Sequence, residues 1–212
     1  MDSITPQIVF YVFGLPINST IISTWVVMLI IIVFSVILSN FFPHALDWLG
    51  EFLSSIVSSI MTIDDVNEYL PVLGSLAIFI AVANSIGIIP ILSAPTSDIN
   101  TPIALSLIVL FSTYFYGIKR KGFIKYLKDL ATPIFLLPFE IIGQISRTLS
   151  LSLRLFGNML SGELISAIVF GLVPLIAPLP FIGLGLFLGI LQAYVFTALA
   201  SLYIDLAIAP DN

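Results

Sequence analysis

Between Ile134 and Ala209 the only charged residues are Glu140, Arg147, Arg154, Glu163 and Asp205, in an apolar stretch broken by Pro174, Pro178 and Pro180. Prolines at that density end a helix, because each lacks a backbone donor and its ring clashes with the preceding turn. The stretch reads as a helical hairpin with its turn near residues 173–181. The chain as a whole is poor in charge: 9% of the 212 residues are charged and 59% are hydrophobic, with a mean hydropathy of +1.17. A water-facing surface uses roughly 25% charged residues. Most of this chain must therefore be solvated by lipid, as a single polytopic membrane domain over residues 1–212. A disordered chain is excluded by the same arithmetic, and a nucleic-acid binder by a net charge of -5 with seven Lys and Arg. With no cysteine and one histidine, His44, neither thiolate chemistry nor a Cys- or His-built metal site is expected. No cofactor is expected either.

About 20 apolar residues cross roughly 30 Å of hydrocarbon. Ile21–Leu38, Leu70–Leu92 and Pro102–Ile118 meet that length, and with the hairpin they make about five membrane helices. Ile21–Leu38 reads as a span rather than a cleaved signal, since no Lys or Arg precedes it. Between the first two spans, Ala45–Thr62 places Leu46, Leu49, Phe52, Leu53, Ile56, Val57 and Ile60 at helical spacing, with Asp47, Glu51 and serines opposite. This is an amphipathic helix, suited to the bilayer surface or to partner helices. Asp64, Asp65 and Glu68 follow it. All Lys and Arg lie between residues 119 and 154, five of them in Lys119-Arg120-Lys121, Lys125 and Lys128. That basic segment, read as a loop over 119–130, separates the N-terminal helices (1–118) from the C-terminal hairpin (131–212) and faces the cytoplasm or its organellar equivalent. The N-terminus, the loop 93–101 and the proline turn then face outside, and the C-terminus inside.

From Ile134 to Leu172 the main breaker is Pro138, which fits a first turn. A helix of that length reaches about 58 Å at 1.5 Å per residue, almost twice the hydrocarbon thickness, so it lies oblique or breaks near Gly157 or Gly162. The oblique helix is the expectation. Glu140, Gln144, Arg147, Ser150, Arg154, Asn158 and Ser161 recur every three or four residues, forming one continuous stripe. An unpaired guanidinium in mid-membrane costs from about 3 to over 10 kcal/mol. Arg154 therefore needs a carboxylate or water, or else backbone carbonyls or lipid phosphate. Glu163 lies about 180° around the same helix and cannot readily serve. The expected counter-ion is on another chain. Arg147, nearer the cytoplasmic end, reads as an interfacial anchor. The last helix, Phe181 to about Ile208, carries Gln192, Tyr203 and Asp205, with Gly183, Gly185 and Gly189 allowing close approach. A glutamine there bonds a neighbouring helix or orients the Arg154 guanidinium.

Ser152-Leu153-Arg154-Leu155-Phe156-Gly157-Asn158, with Gly162-Glu163-Leu164-Ile165, resembles the signature of subunit a of the rotary F-type ATP synthase. Leu191-Gln192-Ala193-Tyr194-Val195-Phe196, Asn84-Ser85-Ile86-Gly87-Ile88-Ile89-Pro90 and Tyr116-Gly117-Ile118-Lys119 are similar to further segments of that family. The resemblance covers essentially the whole chain. It implies a non-catalytic stator subunit whose oblique hairpin wraps a ring of c subunits, each bearing one membrane carboxylate. Two offset half-channels would carry H⁺ or Na⁺ to and from that ring, and b-type peripheral stalk subunits would be further partners. By position, Arg154 matches the arginine separating the half-channels. Asn158, Glu163 and Gln192 would line the outer route, and Glu140, Ser146 and Ser150 the inner one. Where some members place a histidine or acid, this chain has Gly185, so the outer relay is expected to use Glu163, water and Asp205. The implied location is a bacterial plasma membrane, or an organellar inner or thylakoid membrane. A stand-alone transporter or channel is the alternative, but inverted repeats and paired broken helices are absent from the sequence. An intramembrane enzyme would need a second acidic motif, a Ser/His pair or a metal cluster.

Overall fold

A computed structural model describes residues 8–12, 15–63, 65–87, 94–131, 137–172 and 178–209. A short antiparallel ribbon, β1 (Ile8–Val12) and β2 (Leu15–Asn18), leads into the helices, with Phe10 opposite Ile17 and Val12 opposite Leu15. The helices are α1 (Ser19–Phe41), α2 (Pro43–Ser58), α3 (Leu70–Ile86), α4 (Asn100–Lys121), α5 (Phe123–Ala131), α6 (Leu137–Leu172) and α7 (Pro178–Ile208). A 3-10 turn at Pro95–Ser97 lies between α3 and α4. Among the described residues four helices are long and apolar enough to cross a membrane, and α3 is a shorter apolar helix of 17 residues. This is an all-α membrane fold carrying a short ribbon that the hydrophobic pattern did not announce. The expected continuation of the second span beyond Gly87, residues 173–177 of the turn expected near 173–181, and Asp64 lie outside the described residues. α7 already begins at Pro178 within that expected turn, where proline fits a first helical turn.

α7 is the hub, packing against α3, α4 and α6. The core joins Leu73, Leu76 and Ile80 of α3, Leu105 and Val109 of α4, Leu151 and Leu155 of α6, and Phe196, Ala200 and Ile204 of α7. Lipid offers no hydrophobic drive for helices to meet, so contact depends on close packing and on polar bridges. Close approach is visible at Gly189 of α7, where a Cβ would come within 2.8 Å of the Asn84 Cβ. The bridges occur at both ends. At the basic end, Lys119 pairs with Glu68 at 2.7 Å, and the Thr62 hydroxyl and backbone N–H donate to the Asp205 carboxylate at 2.9–3.0 Å. At the opposite end the Thr20 hydroxyl donates to Asp98 at 2.9 Å. α1 touches α3 through Val27, Ala83 and Ile86, while Trp25, Leu29, Ile32 and Phe34 stay exposed, as a lipid-facing helix requires.

The amphipathic helix is present as α2. Val57 is buried, whereas Phe52 of the expected apolar face stays exposed and stacks on Trp48 at 6.1 Å. The segment 119–130 is not the loop expected: α4 runs through Lys121, and α5 begins two residues later. Lysines flanked by Phe123, Ile124 and Tyr126 satisfy helical amphipathicity as well as they satisfy a charged connector. α6 is one unbroken helix of 36 residues, about 54 Å long, with Pro138 in its first turn and no interruption at Gly157 or Gly162.

Candidate functional site

α6 divides its polar stripe between two surroundings. Ser146, Ser150, Arg154, Gly157 and Ser161 are exposed, whereas Leu151, Ser152, Leu155 and Met159 face the neighbouring helices. Arg154 is thus on the surface of the isolated chain rather than buried within it. Among the described residues it has no hydrogen bond and no acid within ion-pair distance. Arg147, two turns earlier, differs. Its guanidinium lies 3.8 Å from Glu140 and 5.9 Å from the centre of the Tyr203 ring. Glu140 also accepts a 3.2 Å hydrogen bond from Gln144. One helix therefore carries one arginine satisfied at home and one that is not. Beside Arg147, a cavity of about 10 Å³ lined by Ser106, Thr113, Gln144, Thr148 and Tyr203 has room for one water.

Toward the other end, Glu163 is half-buried beside the 3-10 turn that carries Ala94 and Ser97, where the Ser97 hydroxyl donates to the Ala94 carbonyl at 2.8 Å. The turn is itself fixed. The Thr96 hydroxyl donates to the Asn84 side-chain oxygen at 2.7 Å, and the Asn84 amide donates to the Gly189 carbonyl at 3.0 Å. Asn158 bridges α6 to α7, donating to the Leu188 carbonyl at 3.4 Å. Gln192 is 6% exposed, and its Nε2 is buried without a hydrogen-bond partner in the structure. Gln192 faces the packed side of α7 and makes no bond to Arg154 among the described residues.

Asp205 does not join Glu163. It sits at the opposite end of α7, held by Thr62, about 26 Å along the helix from the level of Leu188. The expectation of an outer relay through Asp205 is therefore wrong, because an antiparallel hairpin sends the C-terminal end of α7 back past the start of α6. Gly185 is half-buried, and a Cβ there would meet nothing within 4 Å, so the missing titratable group leaves open space.

The family described as ATP synthase A chain matches residues 19–205. An ATP synthase subunit a 2 of Bradyrhizobium sp. is 38% identical, with the alignment covering 97% of this chain and 95% of the relative. A protein of the same description from Picosynechococcus sp. is 38% identical over 95% of this chain and 91% of its own length. The ATP synthase subunit a of Nitrosospira multiformis is also 38% identical, over 97% and 86%. This chain belongs to the ATP synthase subunit a family. It is accordingly a multi-pass membrane protein of the membrane sector of an F-type ATP synthase.

Within that family frame, the sequence singled out Arg154, Glu163, Asn158, Gln192, Glu140, Ser146 and Ser150. The structure groups Ser146, Ser150 and Arg154 on one exposed face, Glu140 with Gln144 and Arg147, and Glu163 with the 3-10 turn. Sequence reasoning missed Ser97, Thr96 and the cavity-lining Ser106 and Thr113. Serines and threonines in apolar helices mostly bond their own preceding carbonyls, so only tertiary contact marks them out. For Thr96 the one sequence signal was its place a few residues beyond Asn84-Ser85-Ile86-Gly87.

Proposed function

We propose that this chain is the ion-conducting stator of its ATP synthase, with no catalysis of its own. It would pass H⁺ or Na⁺ through two offset half-channels to and from the carboxylates of a c-ring. The observation that carries this reading is the contrast between the two arginines of α6: Arg147 has Glu140, whereas Arg154 stands exposed with no acid of its own chain beside it among the described residues. A cation in mid-span without a local counter-ion calls for one brought by a partner.

The chemistry follows from charge and solvation. A ring carboxylate arriving at Arg154 is favoured ionised, because the opposite charge lowers its pKa. Turned toward hydrocarbon it must bind an ion, because a bare carboxylate pays a large desolvation penalty. A guanidinium carries a permanent positive charge, so Arg154 would block direct leakage between the two routes. Glu163 lies about 14 Å from Arg154 along α6 in one direction and Glu140 about 21 Å in the other. Asn158, Glu163 and Gln192 would serve the outer route, the unpartnered Gln192 amide being free to bind water there. Glu140, Ser146 and Ser150 would serve the inner one. b-type stalk subunits would hold the stator, and the location would be a bacterial plasma membrane, with the basic end inside.

Replacing Arg154 by Ala in the assembled synthase should abolish ion-driven ATP synthesis while ATP hydrolysis by the extramembrane sector continues. Normal coupled synthesis in that variant would overturn the proposal. Replacing Glu163 by Gln should slow passive ion conduction without blocking assembly. A complex that fails to assemble would instead make Glu163 a structural residue of the 3-10 turn.

A further inference from the structure

α4 ends in Lys119, Arg120 and Lys121, and Gly122 turns the chain at φ 85°, ψ 149°, a conformation only glycine enters readily. On α5, Phe123, Ile124 and Tyr126 fall on one arc at 100° per residue, and Lys125 and Lys128 on the other. The structure fixes how this helix is rolled. Tyr126 is 7% exposed, packed edge-on to Tyr114 with centroids 6.3 Å apart, and its ring fills the notch at Gly117, where a Cβ would come within 2.5 Å. With Tyr126 seated, Phe123 and Ile124 turn away from the bundle, 61% and 83% exposed. Lys121, Gly122, Phe123, Ile124, Lys125 and Lys128 line one open groove.

This shallow, open patch sets three lysines beside two apolar side chains. Between residues 119 and 130 the sequence carries five basic residues and one acid, and Lys119 among them pairs with Glu68. The groove opens at the end of a membrane span whose exposed Phe111 and Phe115 lead up toward it, 67% and 61% exposed. A helix so charged on one side and greasy on the other lies in the interfacial plane. We infer that the α4–α5 corner binds anionic lipid, with Lys121, Lys125 and Lys128 at the phosphate head group and Phe123 and Ile124 among the upper acyl carbons. The column of hydrocarbon-facing phenylalanines favours lipid over an acidic protein segment, which would need no apolar approach from below. Each basic residue near an anionic surface adds about fivefold in affinity, and salt screens it over roughly 8 Å. This site goes beyond the ion-pathway reading and stands independently of it.

The chain contains no cysteine, so Ile124→Cys places a single thiol for an environment-sensitive fluorophore on the full-length protein in phosphatidylcholine vesicles. Quenching is compared for phosphatidylglycerol and phosphatidylcholine brominated at the same acyl position and present at equal mole fraction. The expected result is a preference for the phosphatidylglycerol quencher of about fivefold or more. It should be lost when Lys121, Lys125 and Lys128 are all changed to Gln and kept when all are changed to Arg, with phosphatidylcholine quenching unchanged in both. Unchanged phosphatidylcholine quenching shows that α5 is still in place. Equal quenching by the two lipids in the parent, loss of the preference in the Arg variant, or emission characteristic of water would refute the site. Relief of quenching by millimolar inorganic phosphate would assign the groove to a free ion and overturn the lipid assignment. Shielding of residue 124 only in the assembled synthase would assign it to a protein partner, and would equally overturn it.

Discussion

Asp205 shows how one carboxylate at a helix end can be structural. It is 6% exposed and is held by Thr62 through the backbone N–H and through the single hydroxyl proton shared between both carboxylate oxygens. Thr62→Ala removes the hydroxyl and leaves a buried acceptor half satisfied, which costs about 1–3 kcal/mol. A detergent-solubilised T62A protein should therefore melt at a lower temperature, and T62S, which keeps the donor, should melt close to the parent. An unchanged melt for T62A would show that water replaces the hydroxyl. Two glycines of α7 give a paired prediction. A Cβ at Gly189 would lie 2.8 Å from the Asn84 Cβ, whereas at Gly185 it would meet nothing within 4 Å. Gly189→Ala should destabilise by about 1–3 kcal/mol through overpacking. Gly185→Ala should be neutral or stabilising by up to about 1 kcal/mol, since alanine loses less backbone entropy in a helix. Thermal melts of the two variants should separate in that order.

At the scale of elements, α5 depends on one ring in one notch. Gly117→Ala would drive a methyl group to 2.5 Å from the Tyr126 ring and should unseat the helix. Trypsin cleavage after Lys121, Lys125 and Lys128 should then accelerate in G117A relative to the parent, and unchanged cleavage would show that α5 is held otherwise. The same ring makes the docking sensitive to alkali. Burial, helped by the neighbouring Tyr114 and then by Glu140, pushes the Tyr126 hydroxyl up to about 12 from the usual 10. The folded protein binds the phenolic proton more tightly, so this contribution to stability is complete below pH 10 and fades as pH rises through about 12. Absorbance at 295 nm should show one late-titrating tyrosine fewer in Y126F than in the parent. α6 raises a different question at this scale, because hydrophobic pattern alone allowed a break at Gly157 or Gly162. Neither glycine is at a helix end, and α6 continues through both.

At the scale of the whole molecule, the proposed docking of a c-ring makes the two sides of α6 unequal. Ser150 and Ser161 share the exposed face with Arg154, whereas Ser152 is 2% exposed and faces the core. In this cysteine-free chain, Ser150→Cys and Ser161→Cys should cross-link to cysteines introduced in ring subunits, and Ser152→Cys should not. Cross-linking from residue 152 alone would place the ring on the wrong face. Much of this architecture was legible beforehand. Apolar runs set Ile21–Leu38, found within α1, and Pro102–Ile118, found within α4, because hydrocarbon thickness dictates span length whatever the neighbours are. The local pattern also gave Pro138 in a first turn, the amphipathic α2, and Glu163 on the side of α6 away from Arg154. What it could not give were relations between distant segments. That Asp205 belongs with Thr62, that Ser97 stands before Glu163 through Asn84 and Thr96, and that Gln192 is buried away from Arg154 all depend on which faces the antiparallel helices turn to one another. Periodicity places a residue on its own helix to within tens of degrees but says nothing of the neighbour across the gap. The sequence by itself thus determined solvent, spans, charge asymmetry and an arginine in want of a counter-ion. The packing of α7 against α3, α4 and α6 alone decided which polar groups meet, because close approach at Gly189 and bridges between residues as much as 143 apart are properties of the assembled bundle.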